Sequence, residues 1–136
     1  MTGSRSFGRN AESLGAIVDF TAKAFEAQGV DRGLLPPIDL ALEELFTNMV
    51  KYSSSQADVR IEISKIEGGV QVTMFDEDVD FFDVSQARPV DVAEPLESRK
   101  PGGLGLHLVQ RLVEGLEYEY LPEARRSRVT FRKTGA

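Results

Sequence analysis

The sequence predicts an α+β fold, a two-layer sandwich in which helices cover one face of a mainly antiparallel, mixed sheet. Three observations carry that expectation. Apolar residues recur at helical spacing over three separate stretches, the period falls to two between and after them, and the strands come as hairpin pairs. With 136 residues, 41% of them hydrophobic, the chain has enough apolar surface for one core without disulfides or structural zinc. A single domain over residues 1–136 is expected, since no linker, repeat or low-complexity tract divides it.

The first helix follows Asn10, whose carboxamide suits a cap that accepts from an exposed backbone N–H, and it carries Leu14, Ile17, Val18, Ala22 and Phe25. Gly29 stops it. The second helix opens on Pro36 and Pro37, tolerated in a first turn that lacks N–H partners anyway, and carries Ile38, Leu42, Leu45, Phe46, Met49 and Val50. Residues Ser53 to Gln56 end it. Val59, Ile61 and Ile63, then Val70, Val72 and Met74, alternate around Gly68 and Gly69, whose freedom at positive φ suits a tight hairpin. From Asp76 to Gly103 no period holds, and Pro89, Pro95 and Pro101 interrupt it, so a long functional loop is expected. Leu104, Leu108, Val109, Leu112, Val113 and Leu116 write a third helix behind Gly102, Gly103 and Gly105. Two short strands close the chain, around Glu117 to Leu121 and Ser127 to Lys133, with a turn at Pro122.

Composition narrows the function classes. A net charge of −6 disfavours direct nucleic-acid binding, which depends on neutralising phosphates with Lys and Arg. Zero Cys removes thiolate chemistry. No apolar run is long enough to span a bilayer, and Met1 to Asn10 lacks the charged-then-apolar design of a secretory signal, so a cytoplasmic protein without membrane contact is expected.

Three places have the residue types for chemistry. Glu44 and Asn48 fall at i and i+4 on the second helix, facing away from its apolar stripe. A carboxylate beside a carboxamide offers a general base next to an oxygen ligand for Mg²⁺, although Glu and Asn are equally ordinary on a solvated helix face. Asp76 opens an acidic run with Glu77, Asp78, Asp80 and Asp83 where a buried strand ends. Its carboxylate suits an acceptor for a ligand amine at a pocket mouth, and a charge-repelled surface loop is the plain alternative. The EF-hand spacing is missing. Gly102, Gly103, Leu104, Gly105 and Leu106 lead into the third helix, where close backbone approach and unpaired N–H groups suit phosphate, with Arg99 and Lys100 adding charge upstream. Neither a Walker Lys-Ser/Thr pair nor a strand leading directly into the turn is present. His107, the only histidine, has no metal-ligating companion and is read as structural.

The order of these signals is more specific than any one of them. Residues 40–52, LALEELFTNMVKY, resemble the N-box of the GHKL ATPase superfamily, and residues 102–118, GGLGLHLVQRLVEGLEY, resemble its second glycine box almost residue for residue. Within the superfamily the sequence is most similar to the small serine-protein kinases that double as anti-sigma factors in bacterial partner switching. The resemblance implies the Bergerat sandwich, in agreement with the layers read from periodicity. It implies Glu44 as the base that activates an attacking hydroxyl, Asn48 as the ligand holding Mg²⁺ against ATP, and Asp76 as acceptor of the adenine amino group. Gly102, Gly103 and Gly105 would let a lid of about residues 84–101 and the helix start wrap the phosphates. Phosphoryl transfer needs charge neutralisation and in-line positioning more than covalent help, so metal, amides and one base suffice.

The implied function is an ATP-dependent serine/threonine-protein kinase that phosphorylates a STAS-domain anti-sigma-factor antagonist and sequesters a sigma factor, as a homodimer. At this length, no room remains for the extra domains of gyrase-like or histidine-kinase relatives, so action on a separate protein is expected. One position departs from the family pattern. Asp78 stands where the first glycine box has Gly, and Phe81, Phe82 and Asp83 replace a single Phe-Asp. At an effective dielectric of about 20, a unit charge about 6 Å from a phosphate charge repels it by roughly 3 kcal/mol before screening. That departure supports an alternative, a non-catalytic partner-switching binder of the same fold with a degraded nucleotide pocket.

Overall fold

The computed structural model describes residues 2–52, 55–77 and 103–135. Alternating side chains make the sheet one-sided. The two hairpins and an N-terminal strand form five strands: β1 Thr2–Phe7, β2 Val59–Ile66, β3 Gly69–Asp76, β4 Glu114–Leu121 and β5 Arg126–Thr134. They lie in the order β1-β2-β3-β5-β4, and every pairing among the described residues is antiparallel. On one face Val59, Ile61, Ile63, Val70, Val72, Met74, Val129 and Phe131 are at most 1% exposed. Three helices supply the other layer: α1 Ser13–Gln28, α2 Leu35–Tyr52 and α3 Gly103–Leu112. Their contributions to the shared core include Ile17, Phe25, Ile38, Leu42, Phe46 and Val109. Each large side chain buried this way contributes roughly 1.5–3 kcal/mol relative to exposure.

The ends of the elements follow local chemistry. Asn10 Oδ1 accepts from the Ser13 N–H at 3.1 Å and so closes the turn leading into α1, whose own N-cap position is Glu12 without a side-chain cap, and Gly29 leaves α1 with φ +69°. A single 3₁₀ turn, Arg32–Leu34, precedes α2 and is pinned by Asp31, which accepts from the Gly33 N–H at 2.9 Å. Gly68 takes φ +74° in the β2–β3 turn. Gly69 is required for a different reason, because a Cβ there would lie 2.1 Å from the Lys133 carbonyl oxygen of β5.

Three sequence expectations change. The first ten residues contain β1, an edge strand of TGSRSF in which only Phe7 is buried. Its polar composition carries no strand signal; pairing with β2 and the edge-on contact of Phe7 with Phe20, 5.6 Å between ring centroids, hold it. At the Thr2 end of β1, Gln28 of α1 serves the β2 backbone, donating to Ile63 O at 2.9 Å and accepting from Lys65 N at 2.8 Å. Next, α3 ends at Leu112 and Leu116 lies in β4, because Gly115 at φ +60° and a register shift between Glu114 and Glu117 turn the chain into the sheet early. Finally, Gly103 and Gly105 fall within α3 rather than ahead of it. The loop expected at residues 84–101 lies outside the described residues.

Candidate functional site

On α2, Ala41, Leu42, Leu45 and Phe46 are at most 3% exposed, and they turn the Glu44 and Asn48 side away from the centre of the core. Both side chains are half-buried, and among the described residues neither makes a hydrogen bond or ion pair. The helix therefore presents a carboxylate and a carboxamide, one turn apart, that no described residue engages.

Asp76 ends β3 as the sequence predicts, and it is 8% exposed. What holds it is Arg9, from the loop after β1. Arg9 Nη2 donates to Asp76 Oδ1 and, at 3.1 Å, to the Glu77 carbonyl. Its Nε donates to Ala57 O at 2.7 Å and its Nη1 to Met49 O at 3.3 Å. The two ionic side chains are 7% and 11% exposed, so the pair is largely removed from water. Burial pushes the Asp76 carboxyl above the ordinary carboxylate range, against the downward pull of the Arg9 hydrogen bond and charge, with a small upward push from Glu77. Oδ1 is thus committed to Arg9, and among the described residues Oδ2 accepts no hydrogen bond.

The corner is braced further. Ser55 Oγ donates to Glu77 O at 2.6 Å and accepts from Ala57 N at 3.1 Å. The Glu77 carboxylate pairs with Arg126 of β5 at 2.8 Å. Phe75, on the uncovered sheet face, lies between the Arg60 and Arg126 guanidiniums, at 4.3 and 5.5 Å from its centroid.

Of the segments expected to act together, the α2 backbone next to Asn48 and the Asp76 carboxylate meet at a single guanidinium, because Arg9 donates to both Met49 O and Asp76 Oδ1. α3 packs against α2 in the helix layer. Gly103, Leu104, Gly105 and Leu106 are in α3, of whose first five residues the backbone alone is described. Asp78, Arg99, Lys100 and Gly102 lie outside the described residues. Sequence reasoning missed Arg9, Ser55 and Arg126. Each is a common residue type whose key partners are far along the chain, 40 to 68 positions away for Arg9, 22 for the Ser55 bond to Glu77 and 49 for Arg126, so no local spacing marks it.

No helix among the described residues is long and apolar enough to cross a membrane. Among curated proteins none matches the chain. Among solved structures, the chain holding the RsbU and RsbW domains of Rv1364c from Mycobacterium tuberculosis matches at a TM-score of 0.67 and 12% identity, over 98% of this chain and 32% of that one. This chain thus spans about a third of that chain's length, and at such identity the likeness speaks for the fold. The model of the histidine kinase-like ATPase domain matches residues 7–133, nearly the whole length. With that match and the same sandwich of antiparallel sheet and helices, the chain belongs to the histidine kinase-like ATPase domain family.

Proposed function

We propose that this chain is an ATP-dependent serine/threonine-protein kinase and anti-sigma factor, which phosphorylates a STAS-domain antagonist and sequesters a sigma factor in the cytoplasm, acting as a homodimer. The observation that carries the reading is the shared guanidinium of Arg9, which joins the end of the α2 turn bearing Asn48 to the acceptor ending β3. Family membership and the resemblance of residues 40–52 and 102–118 to the two boxes support it.

The residues present suit Mg²⁺ and ATP. Asn48 has a carboxamide oxygen that no described residue engages, a ligand type that Mg²⁺ accepts beside phosphates and water. Asp76 keeps Oδ2 for the adenine amino group. When bound, the metal would neutralise phosphate charge during transfer. Glu44, one turn before Asn48, takes the proton of the acceptor hydroxyl as that oxygen attacks the γ-phosphorus and the bond to ADP breaks. The α3 amides from Gly103 to Leu106, with Gly102, Arg99 and Lys100 upstream, are the proposed phosphate cradle.

Purified chain, a STAS-domain antagonist and labelled ATP should yield phosphoprotein, and Glu44→Ala should lower its rate by about 10²–10⁴-fold. Transfer that survives Glu44→Ala removes the assigned base. The second reading, a binder without catalysis, rests on Asp78 in place of glycine. Titration with Mg²⁺·ATP decides between them: micromolar affinity removes the binder's rationale, and no heat at millimolar nucleotide removes the kinase.

A further inference from the structure

We propose that Arg9 is a positioning residue for nucleotide recognition, holding the Asp76 carboxylate so that one oxygen faces the ligand and fixing the distance between Asp76 and the Asn48 turn. The inference rests on the kinase reading and adds a residue that neither sequence box contains.

The backbone on both sides of Arg9 is anchored. Phe7 is 4% exposed in the core, and the Asn10 side chain accepts from the first residue of α1, Ser13, at 3.1 Å. The guanidinium therefore projects from a fixed base, and it engages four of its five N–H groups. Three of the acceptors are main-chain carbonyls, of Met49, Ala57 and Glu77, which can neither titrate nor swing away as a carboxylate can. Fixed by these, the planar fork dictates where Oδ1 of Asp76 lies, and Oδ2 follows from the carboxylate's own geometry. Among the described residues, alternatives to Arg9 as the orienting partner are few. Among the charged groups facing Asp76, Glu77 is repulsive and already paired with Arg126.

The same bonds tie three chain segments together: the last turn of α2, the stretch that follows it, and the end of β3. Without Arg9, the helix bearing Asn48 and the strand bearing Asp76 keep their core contacts but lose the bond that sets their ends against each other.

The test is a thermodynamic cycle by titration calorimetry with Mg²⁺·ATP on wild type, Arg9→Gln, Arg9→Lys, Asp76→Asn and the Arg9→Gln/Asp76→Asn double variant. Arg9→Gln should weaken binding by about tenfold or more, the worth of one charge-assisted hydrogen bond. Arg9→Lys should recover only part of that loss, because an ammonium keeps the charge without the planar fork; it also serves as the comparison should Arg9→Gln not fold. In the Asp76→Asn background the Arg9→Gln loss should shrink to less than about threefold, since the oriented acceptor is gone. A second readout needs no nucleotide: in Arg9→Gln, amide exchange at residues 49–52 and 76–77 should accelerate by about tenfold while the β5 core amides stay unchanged. Losses that simply add in the double variant overturn the inference, as does wild-type exchange at those amides. Wild-type binding matched by Arg9→Gln overturns this inference alone, whereas a wild-type chain that binds no nucleotide overturns the kinase reading and this inference with it.

Discussion

Asp76 on β3 and the Glu44–Asn48 pair on α2 belong to one candidate site, yet the fold holds them in opposite ways. Asp76 is 8% exposed, paired with Arg9, and flanked by Glu77, whose carbonyl takes two donors and whose carboxylate takes Arg126. Glu44 and Asn48 are half-buried on a rigid helix and make no hydrogen bond or ion pair among the described residues. Under the proposed function, the difference separates two duties. An acceptor that distinguishes one ligand edge from another must not rotate, so its surroundings fix it. A base and a metal ligand must form new bonds during a cycle, so the backbone fixes their position and their polar atoms stay uncommitted.

The largest effect expected from this contrast is a dissociation of activity from stability on α2. Glu44→Ala should lower phosphoryl transfer by about 10²–10⁴-fold while moving the free energy of unfolding by no more than about 0.5 kcal/mol. Urea melts beside label-transfer assays check it, and a melt shifted as far as the activity would erase the contrast. On the β3 side the order reverses. Arg9→Ala leaves Asp76 buried without its counter-ion, which should cost about 3 kcal/mol of folding free energy. A loss under about 1 kcal/mol would mean that water replaces the guanidinium and the corner is not braced as described.

Ser55→Ala sharpens the comparison at smaller scale. Its hydroxyl donates to Glu77 O and accepts from Ala57 N, and its removal should cost about 1–2 kcal/mol by the same melts, with transfer chemistry preserved per folded molecule. Glu114, at the far end of the sheet, gives the smallest effect and a control. The Thr134 backbone N–H and hydroxyl, both at 2.9 Å, hold its carboxyl below the ordinary 4.5. A depressed folded pKa means a contribution fully present above pH 4.5 and lost as pH falls through the lower folded value. Stability measured across that window should flatten in Glu114→Gln, with nucleotide binding at neutral pH unchanged.

Much of this architecture is legible along the chain because its signals are local. The stops at Gly29 and Gly68, the prolines opening α2 and the alternation in β2 and β3 each depend on residues a few positions apart. Asp76 was readable for the same reason, as the polar residue that ends an apolar strand. Strand β1 was not, because TGSRSF has neither alternation nor aromatic weight, and it exists through pairing with residues 59–64. Nor was Arg9, whose four acceptors lie 40 to 68 positions downstream. An arginine's worth is set by what its donors reach, and that is a property of the assembled chain.

The amino-acid order alone determined the periods, the turn residues and the two boxes, because side-chain spacing and backbone freedom act over a few residues and need no partner elsewhere. Tertiary structure decided which polar groups end up committed and which stay open. Desolvation and ion pairing act through space between segments far apart in the polymer, so only folding could seat Arg9 on Asp76 while leaving Glu44 and Asn48 unpartnered among the described residues.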